Sequence, residues 1–62
     1  MSLITELFGP EILLASLAGA KEAIKNAPPT LAEKKDILLK EYASIKGIIL
    51  TKQDFNDIIN NA

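Results

Sequence analysis

Glycine and proline interrupt this chain of 62 residues at three places, and every piece between them has helical periodicity. The interruptions are Gly9-Pro10, Pro28-Pro29 and Gly47. Proline cannot donate the backbone hydrogen bond that a helix interior needs, and glycine is common just beyond the last turn of a helix. The pattern therefore predicts four helices, which we place at residues 2–8, 10–26, 30–46 and 51–61.

The second and third pieces carry the apolar stripes of two helices that pack together. On the second piece, one helical face comprises Leu13, Leu17, Ala20, Ile24 and Ala27. On the third, the main stripe comprises Leu31, Leu38, Tyr42 and Ile45. Because the connection between them is short, we predict that these two helices form an antiparallel αα-hairpin.

Two capping boxes are predicted at helix starts. Thr30 and Glu33 have the T-x-x-E spacing at the start of the third helix. Thr51 and Asp54 have the same spacing at the start of the fourth. In such a box, each side chain accepts a hydrogen bond from the backbone of the other residue, and this fixes where the helix begins.

These patterns predict one all-α domain over residues 1–62, a small helical bundle built on the hairpin with short flanking N- and C-terminal helices. Whether the N-terminal helix packs on its own chain or on a neighbour stays open. A domain of this size buries only about 60% of the surface that its unfolded chain exposes. The chain has no Cys and no His, so disulfides and the usual zinc sites are excluded. Regular helix packing and oligomerisation remain as sources of stability.

Several apolar residues lie off the stripes of the hairpin. Leu14 is displaced from the stripe of the second helix, and Ile37 points about 120° away from that of the third. A short apolar run, Ile48-Ile49-Leu50, occupies the last connection. Single exposed apolar residues are common, whereas several together mark an interaction site. We predict an interaction surface that comprises Leu14, Ile37, Ile48, Ile49 and Leu50.

The side chains that perform most protein chemistry are missing. Without His, Cys or Arg, general acid–base catalysis would depend on carboxylates, lysines and Tyr42. No nucleophile-elbow or phosphate-loop motif is present. Asp54, Asn56 and Asp57 resemble the start of a calcium loop, but its later Gly and Glu are absent. We therefore expect no catalytic residue, no cofactor and no metal site, and a protein that is not an enzyme.

Charge gives little indication of an electrostatic partner. The net charge is -1, and all seven basic residues are lysines, which form no basic face. We therefore do not expect nucleic acid or a membrane surface as the partner. The apolar stretch at residues 12–20 is shorter than the roughly 20 residues that span a bilayer. The first basic residue is Lys21, so the positive start of a signal peptide is missing. We expect a cytoplasmic protein.

The predicted function is that of a small protein-protein interaction or oligomerisation protein, such as an adaptor, an assembly factor or a regulatory subunit. Its partner would be a second copy, with a dimer favoured over higher homo-oligomers, or another protein. Abundant Ile and Asn without Arg or Val is typical of AT-rich genomes, which include those of many phages.

The alternative function is a small helix-turn-helix DNA-binding regulator. The third helix, a turn with Gly47 and the fourth helix have that outline. Candidate contacts to bases or phosphates are Lys52, Gln53, Asn56 and Asn60. Asp54 and Asp57 lie on the same helix and would repel phosphate.

Residues 47–59 begin with the sequence GIILTKQDF, which resembles the SHOCT-type short helical tail. That family's motif leads from a helix through a Gly-Ile-Ile-Thr turn into a second helix with an acidic residue before Phe. This chain has an additional Leu50 before Thr51, and it lacks the basic residues that usually follow the Phe. The resemblance implies an oligomerisation or interaction tail that has no catalytic residues.

Overall fold

The computed structural model describes residues 2–60, and within this range the chain forms helices and no strand. The α-helices are α1 (Leu3–Phe8), α2 (Leu17–Lys25), α3 (Lys35–Lys46) and α4 (Lys52–Ile59). Two 3₁₀-helices, Pro10–Leu14 and Pro29–Lys34, precede α2 and α3. The protein is a small all-α bundle, as predicted. The predicted end of the last helix at residue 61 lies outside the described residues.

Helix α3 is the centre of the bundle, since α1, α2 and α4 all pack against it. Its buried residues recur at the spacing of one helical face: Lys35, Leu38, Leu39, Tyr42 and Ala43. The other elements contribute apolar residues to the same core: Ile4, Ile12, Ala20, Ile24 and Ile58. A single contiguous core therefore forms around α3.

Polar side chains of α3 reach backbone carbonyls of the preceding segment. Lys35 Nζ donates to the carbonyl of Lys25 at the end of α2 over 3.2 Å. Tyr42 lies about two turns further along the same face of α3. Its hydroxyl donates to the carbonyl of Ala15, just before α2 begins. A later residue of α3 therefore contacts an earlier residue of the preceding segment, which is consistent with the antiparallel hairpin.

The predicted helix at residues 10–26 is wrong in its first part. Pro10–Leu14 is a 3₁₀-helix, and Ala15 is extended, with φ -72° and ψ 153°. Helix α2 begins only after Ser16, whose hydroxyl accepts a hydrogen bond from the backbone of its first turn. The physical reason is that Ser16 is a favoured N-cap residue and Tyr42 provides a donor for the carbonyl that the break leaves free.

The predicted start of the third helix is also wrong, because the Thr30–Glu33 capping box does not form. Pro29–Lys34 is a 3₁₀-helix that leads into α3, and it has no side-chain cap. Both residues of the predicted box are exposed. The extended Pro28 already stands at the N-cap, so Thr30 falls inside the helical turn and cannot cap it.

Helix α1 packs on α3 of its own chain. Its first turn is capped twice, by the Ser2 hydroxyl and by Glu41 of α3, whose Oε1 accepts from the backbone N of Ile4 over 2.8 Å. At its end, Gly9 has φ 83° and ψ 168°, a conformation that only glycine adopts without strain. The predicted break at Gly9-Pro10 is confirmed.

The end of α3 and the start of α4 follow the sequence prediction. Gly47 adopts a left-handed conformation with φ 70° and ψ 31°. The backbone N of Ile48 donates to the carbonyl of Ala43, which completes a Schellman motif. Thr51 and Asp54 form the predicted box, since the Thr51 hydroxyl accepts from the Asp54 backbone and an Asp54 oxygen accepts from the Thr51 backbone.

The two predicted boxes provide a matched test of this structure. We expect Thr51→Ala to lower the free energy of unfolding by about 0.5–2 kcal/mol, because α4 loses a formed N-cap. Thr30→Ala should change it by less than about 0.5 kcal/mol, because that hydroxyl caps nothing. Urea denaturation of both variants measures the difference, and equal losses would contradict the assigned start of α3.

Candidate protein-interaction surface

Leu14 is held in a nearly fully exposed position by bonds on both sides of it. The residue is 87% exposed. The carbonyl of Leu13 accepts from Lys46 Nζ over 2.8 Å, and the carbonyl of Ala15 accepts from the hydroxyl of Tyr42. Both tethers come from the last turns of α3, so Leu14 lies at the C-terminal end of that helix.

The apolar run after α3 divides between the core and the surface. Ile48 and Leu50 are half-buried and pack against the core. Ile49 between them is 92% exposed. Because Ile49 follows Lys46 by only three residues, it lies at the same end of the molecule as Leu14.

Ile45 is a surface residue that the sequence prediction missed. We predicted it on the core stripe of the third helix, but it is 47% exposed. The centre of the buried face of α3 is near Lys35 and Tyr42, and Leu38 lies at one edge of it. Ile45 follows Leu38 by seven residues, so it lies at the same edge. Its position two residues before the helix-ending Gly47 is the sequence signal that could have indicated partial exposure. We call Leu14, Ile45 and Ile49 the apolar end.

Ile37 does not belong to the apolar end. It is 49% exposed on the outer side of α3, two residues before the fully buried Leu39. Of the five predicted surface residues, the structure thus brings Leu14 and Ile49 to one end, packs Ile48 and Leu50 on the core and leaves Ile37 elsewhere. Two further exposed apolar residues, Leu7 and Ile59, were not predicted.

The apolar end can contribute substantial binding energy. Complete burial of one Leu or Ile side chain is worth about 1.5–3 kcal/mol. Leu14 and Ile49 lose almost none of their accessible surface within the folded chain, so nearly all of that energy is still available for a contact. The surrounding bonds of α3 already hold the backbone near Leu14, which limits the ordering that binding would require.

A second exposed surface lies on α4, and an ion-pair cluster determines which residues form it. Lys21 of α2 donates to Asp54 Oδ1 over 2.8 Å and to Asp57 Oδ2 over 3.3 Å. Both carboxylates therefore face α2. The opposite side of α4 carries exposed residues on one helical face: Lys52, Gln53, Asn56, Ile59 and Asn60.

The ion pair between Lys21 and Asp54 shifts the pKa of both groups. The hydrogen bond from Lys21, with further hydrogen bonds from the backbone and hydroxyl of Thr51, lowers the pKa of Asp54 from 3.8 to about 2. The same pairing with Asp54, followed by that with Asp57, raises the pKa of Lys21 above 10.5. Lys21 and Asp54 are therefore both charged at neutral pH, and their ion pair links α2 to α4.

A scan against protein-family models, a search of curated proteins and a search of solved structures each gave no match to this chain. Among residues 2–60, no helix combines the length and the apolar character that crossing a membrane requires.

The lowered pKa predicts how stability depends on pH. A carboxyl whose pKa falls on folding stabilises the protein above its unfolded value, and this contribution disappears as the pH falls through the folded value. We expect wild type to lose stability between about pH 4 and pH 2 as Asp54 takes up its proton. In Asp54→Asn this part of the loss should be absent, as urea denaturation across that range will measure.

Lys21→Met is the matched control, since it removes the partner and keeps the carboxyl. The pKa of Asp54 should then rise from about 2 towards 3.8, and carbon-detected NMR titration measures it directly. An Asp54 that titrates near its usual value in wild type would contradict the ion pair.

Proposed function

We propose that this protein is a small non-enzymatic protein-protein interaction or oligomerisation protein that binds its partner through the apolar end. The roles that fit are those of an adaptor, an assembly factor or a regulatory subunit, and the proposed location is the cytoplasm. The observation that carries the proposal is the near-complete exposure of Leu14 and Ile49 in a chain whose other large apolar residues are mostly covered.

The fixed backbone around Leu14 supports the proposal. The bonds from Tyr42 to the Ala15 carbonyl and from Lys46 to the Leu13 carbonyl hold the backbone on both sides of Leu14 in place. Exposed apolar side chains gathered at one place are typical of surfaces that bind proteins. The resemblance of residues 47–59 to a SHOCT-type tail implies the same class of function.

Site-specific photo-crosslinking in the source cells tests the proposal. A benzophenone amino acid replaces Leu14 in one variant and Glu22, an exposed polar residue on α2, in the control. We expect a discrete protein adduct from position 14 and none above background from position 22, because the probe reacts only with a group that stays in contact.

Adducts of equal yield at both positions, or none at position 14, would remove the proposal. The experiment does not depend on the identity of the partner, since a second copy and a different protein both give discrete adducts of defined mass. Circular dichroism of each variant confirms that the helices remain.

A helix-turn-helix regulator is the second candidate, and the orientation of α4 favours it. From the sequence, Asp54 and Asp57 were expected to repel phosphate. In the structure both bind Lys21, while the amide and lysine side chains of Lys52, Gln53 and Asn56 are exposed on the other side of α4. Asn and Gln side chains pair with adenine edges in the major groove.

Fluorescence anisotropy with random duplex DNA at low salt tests this second candidate. Binding should appear, weaken as salt rises and weaken further in Lys52→Gln, because phosphate contacts release counterions. Lys34→Gln removes the same charge from an exposed position outside α4 and should have a smaller effect. A flat wild-type titration removes the candidate.

A further inference from the structure

We propose that α4 is a lid that charged side chains hold closed, and that it opens from the bundle as one unit while α1, α2 and α3 stay packed together. The lid does not depend on the proposed function, since it concerns other contacts than those of the apolar end. Two observations carry it: the contacts that hold α4 differ in kind from those that hold α1 and α2, and a hinge lies where α4 begins.

Little apolar burial holds α4 in place. Within α4, whose eight residues all lie in the described part of the chain, Ile58 is the one buried residue. Phe55 packs half-buried against the core, and half of the helix is exposed. Helix α3, by contrast, buries a whole face. Elements with few buried apolar groups open at a lower free energy than the core does, so we expect α4 to open before α3 unfolds.

Charged side chains of both neighbouring helices hold α4 closed. Lys21 of α2 pairs with Asp54 over 2.8 Å and with Asp57 over 3.3 Å. Lys40 of α3 places its Nζ over the ring of Phe55, 5.5 Å from the centroid, which is within the range of a cation–π contact. The side chains of Lys21 and Asp54 are 20% and 16% exposed, so water screens their attraction only in part. These charges therefore act as the latch of the lid.

Helices α1 and α2 are held differently, through their backbone ends. Glu41 of α3 accepts from the backbone N of Ile4, and Lys35 of α3 donates to the last carbonyl of α2. Both bonds pair groups that have no partner inside their own helix. Helix α4 carries its own cap instead, since Thr51 and Asp54 form the box at its start. That cap stays with α4 when it leaves the bundle.

The hinge of the lid lies at Thr51. The connection is anchored up to Leu50, which packs half-buried against the core. Thr51 follows it and is exposed and extended, with φ -89° and ψ 166°. Hinges are a few residues at the end of an element that absorb a change of backbone angles. A rotation at Thr51 therefore moves α4 while the turn before it stays in place.

Opening of the lid uncovers a surface that the closed form hides. Ile58 and Phe55 leave the core, and the sides of α2 and α3 that pack against α4 become exposed to water. Lys21 and Lys40 lose their partners in α4 at the same time. The open form therefore presents apolar surface beside two ammonium groups, and ionic strength changes how often it forms.

Native-state hydrogen exchange of the purified full chain, followed by NMR at low urea concentrations, tests the lid. We expect the amides of residues 55–59 to share one level of protection, at least about tenfold below that of Leu39 and Ala43 in α3. Their protection should also depend less steeply on urea, because opening α4 exposes only a small part of the surface that global unfolding exposes.

Two variants separate opening of the lid from global unfolding. Lys21→Met should lower the protection of the α4 amides about two- to fivefold, because the closed form loses its ion pairs. Ile4→Val removes one buried methyl group of α1 and should lower the protection of the α3 amides about two- to tenfold. It should change that of α4 by less than about 1.5-fold, since α1 stays packed whether the lid is open or closed.

Salt tests the latch directly. Raising the sodium chloride concentration should lower the protection of the α4 amides in wild type, because counterions screen the ion pairs of Lys21. The same change should have a smaller effect in Lys21→Met, which lacks those pairs. An equal response of the two proteins would contradict a latch made of charges.

Equal protection and equal urea dependence in α4 and α3 overturn the lid, because the chain then opens only as a whole. Protection that rises residue by residue from position 59 to position 55 also overturns it, since the helix then frays from its end. Ile4→Val that lowers protection in α4 as much as in α3 has the same consequence. Lys21→Met that leaves the protection of α4 unchanged overturns the charged latch.

Discussion

The hydrogen bond from the Tyr42 hydroxyl to the carbonyl of Ala15 is the contact on which the rest of this structure depends. Tyr42 is fully buried in the core, so its hydroxyl needs a partner there. The carbonyl of Ala15 is free because the chain leaves the 3₁₀-helix and turns before α2 begins. One bond thus satisfies two polar groups, holds the break in the second helix and places Leu14 on the surface.

The same device recurs along α3. Its long polar side chains pair with backbone groups at the ends of other elements: Glu41 with the N-terminus of α1, Lys35 with the C-terminus of α2 and Lys46 with the end of the first 3₁₀-helix. Helix ends leave backbone groups unpaired, and these contacts satisfy them across the core. In a chain without disulfides, one central helix therefore both buries the apolar faces and fixes the ends of its neighbours.

Local chemistry accounts for the parts of the fold that could be predicted. Gly47 ends α3 and Thr51 starts α4 as expected, since each signal acts on residues within one turn. The predicted N-cap at Thr30 did not form, because Pro28 stands at the N-cap of the 3₁₀-helix that contains Thr30. Ser16 was missed because nothing in the periodicity indicates that a second start interrupts an otherwise continuous stripe. The hydroxyl of Tyr42, which donates to the carbonyl of Ala15 just before this cap, is a partner distant in sequence.

The candidate surface was also predictable from the sequence only in part. The sequence by itself determined the four-helix, all-α character of the chain and the excess of apolar residues, including Leu14 and Ile49, because these follow from Gly and Pro positions and from helical periodicity. Only the tertiary structure decided that Ile48 and Leu50 pack against the core, that Ile45 is half-exposed and that the carboxylates of α4 pair with Lys21 of α2. Those outcomes depend on which elements meet across the core, and a periodic pattern carries no information about contacts between residues distant in sequence.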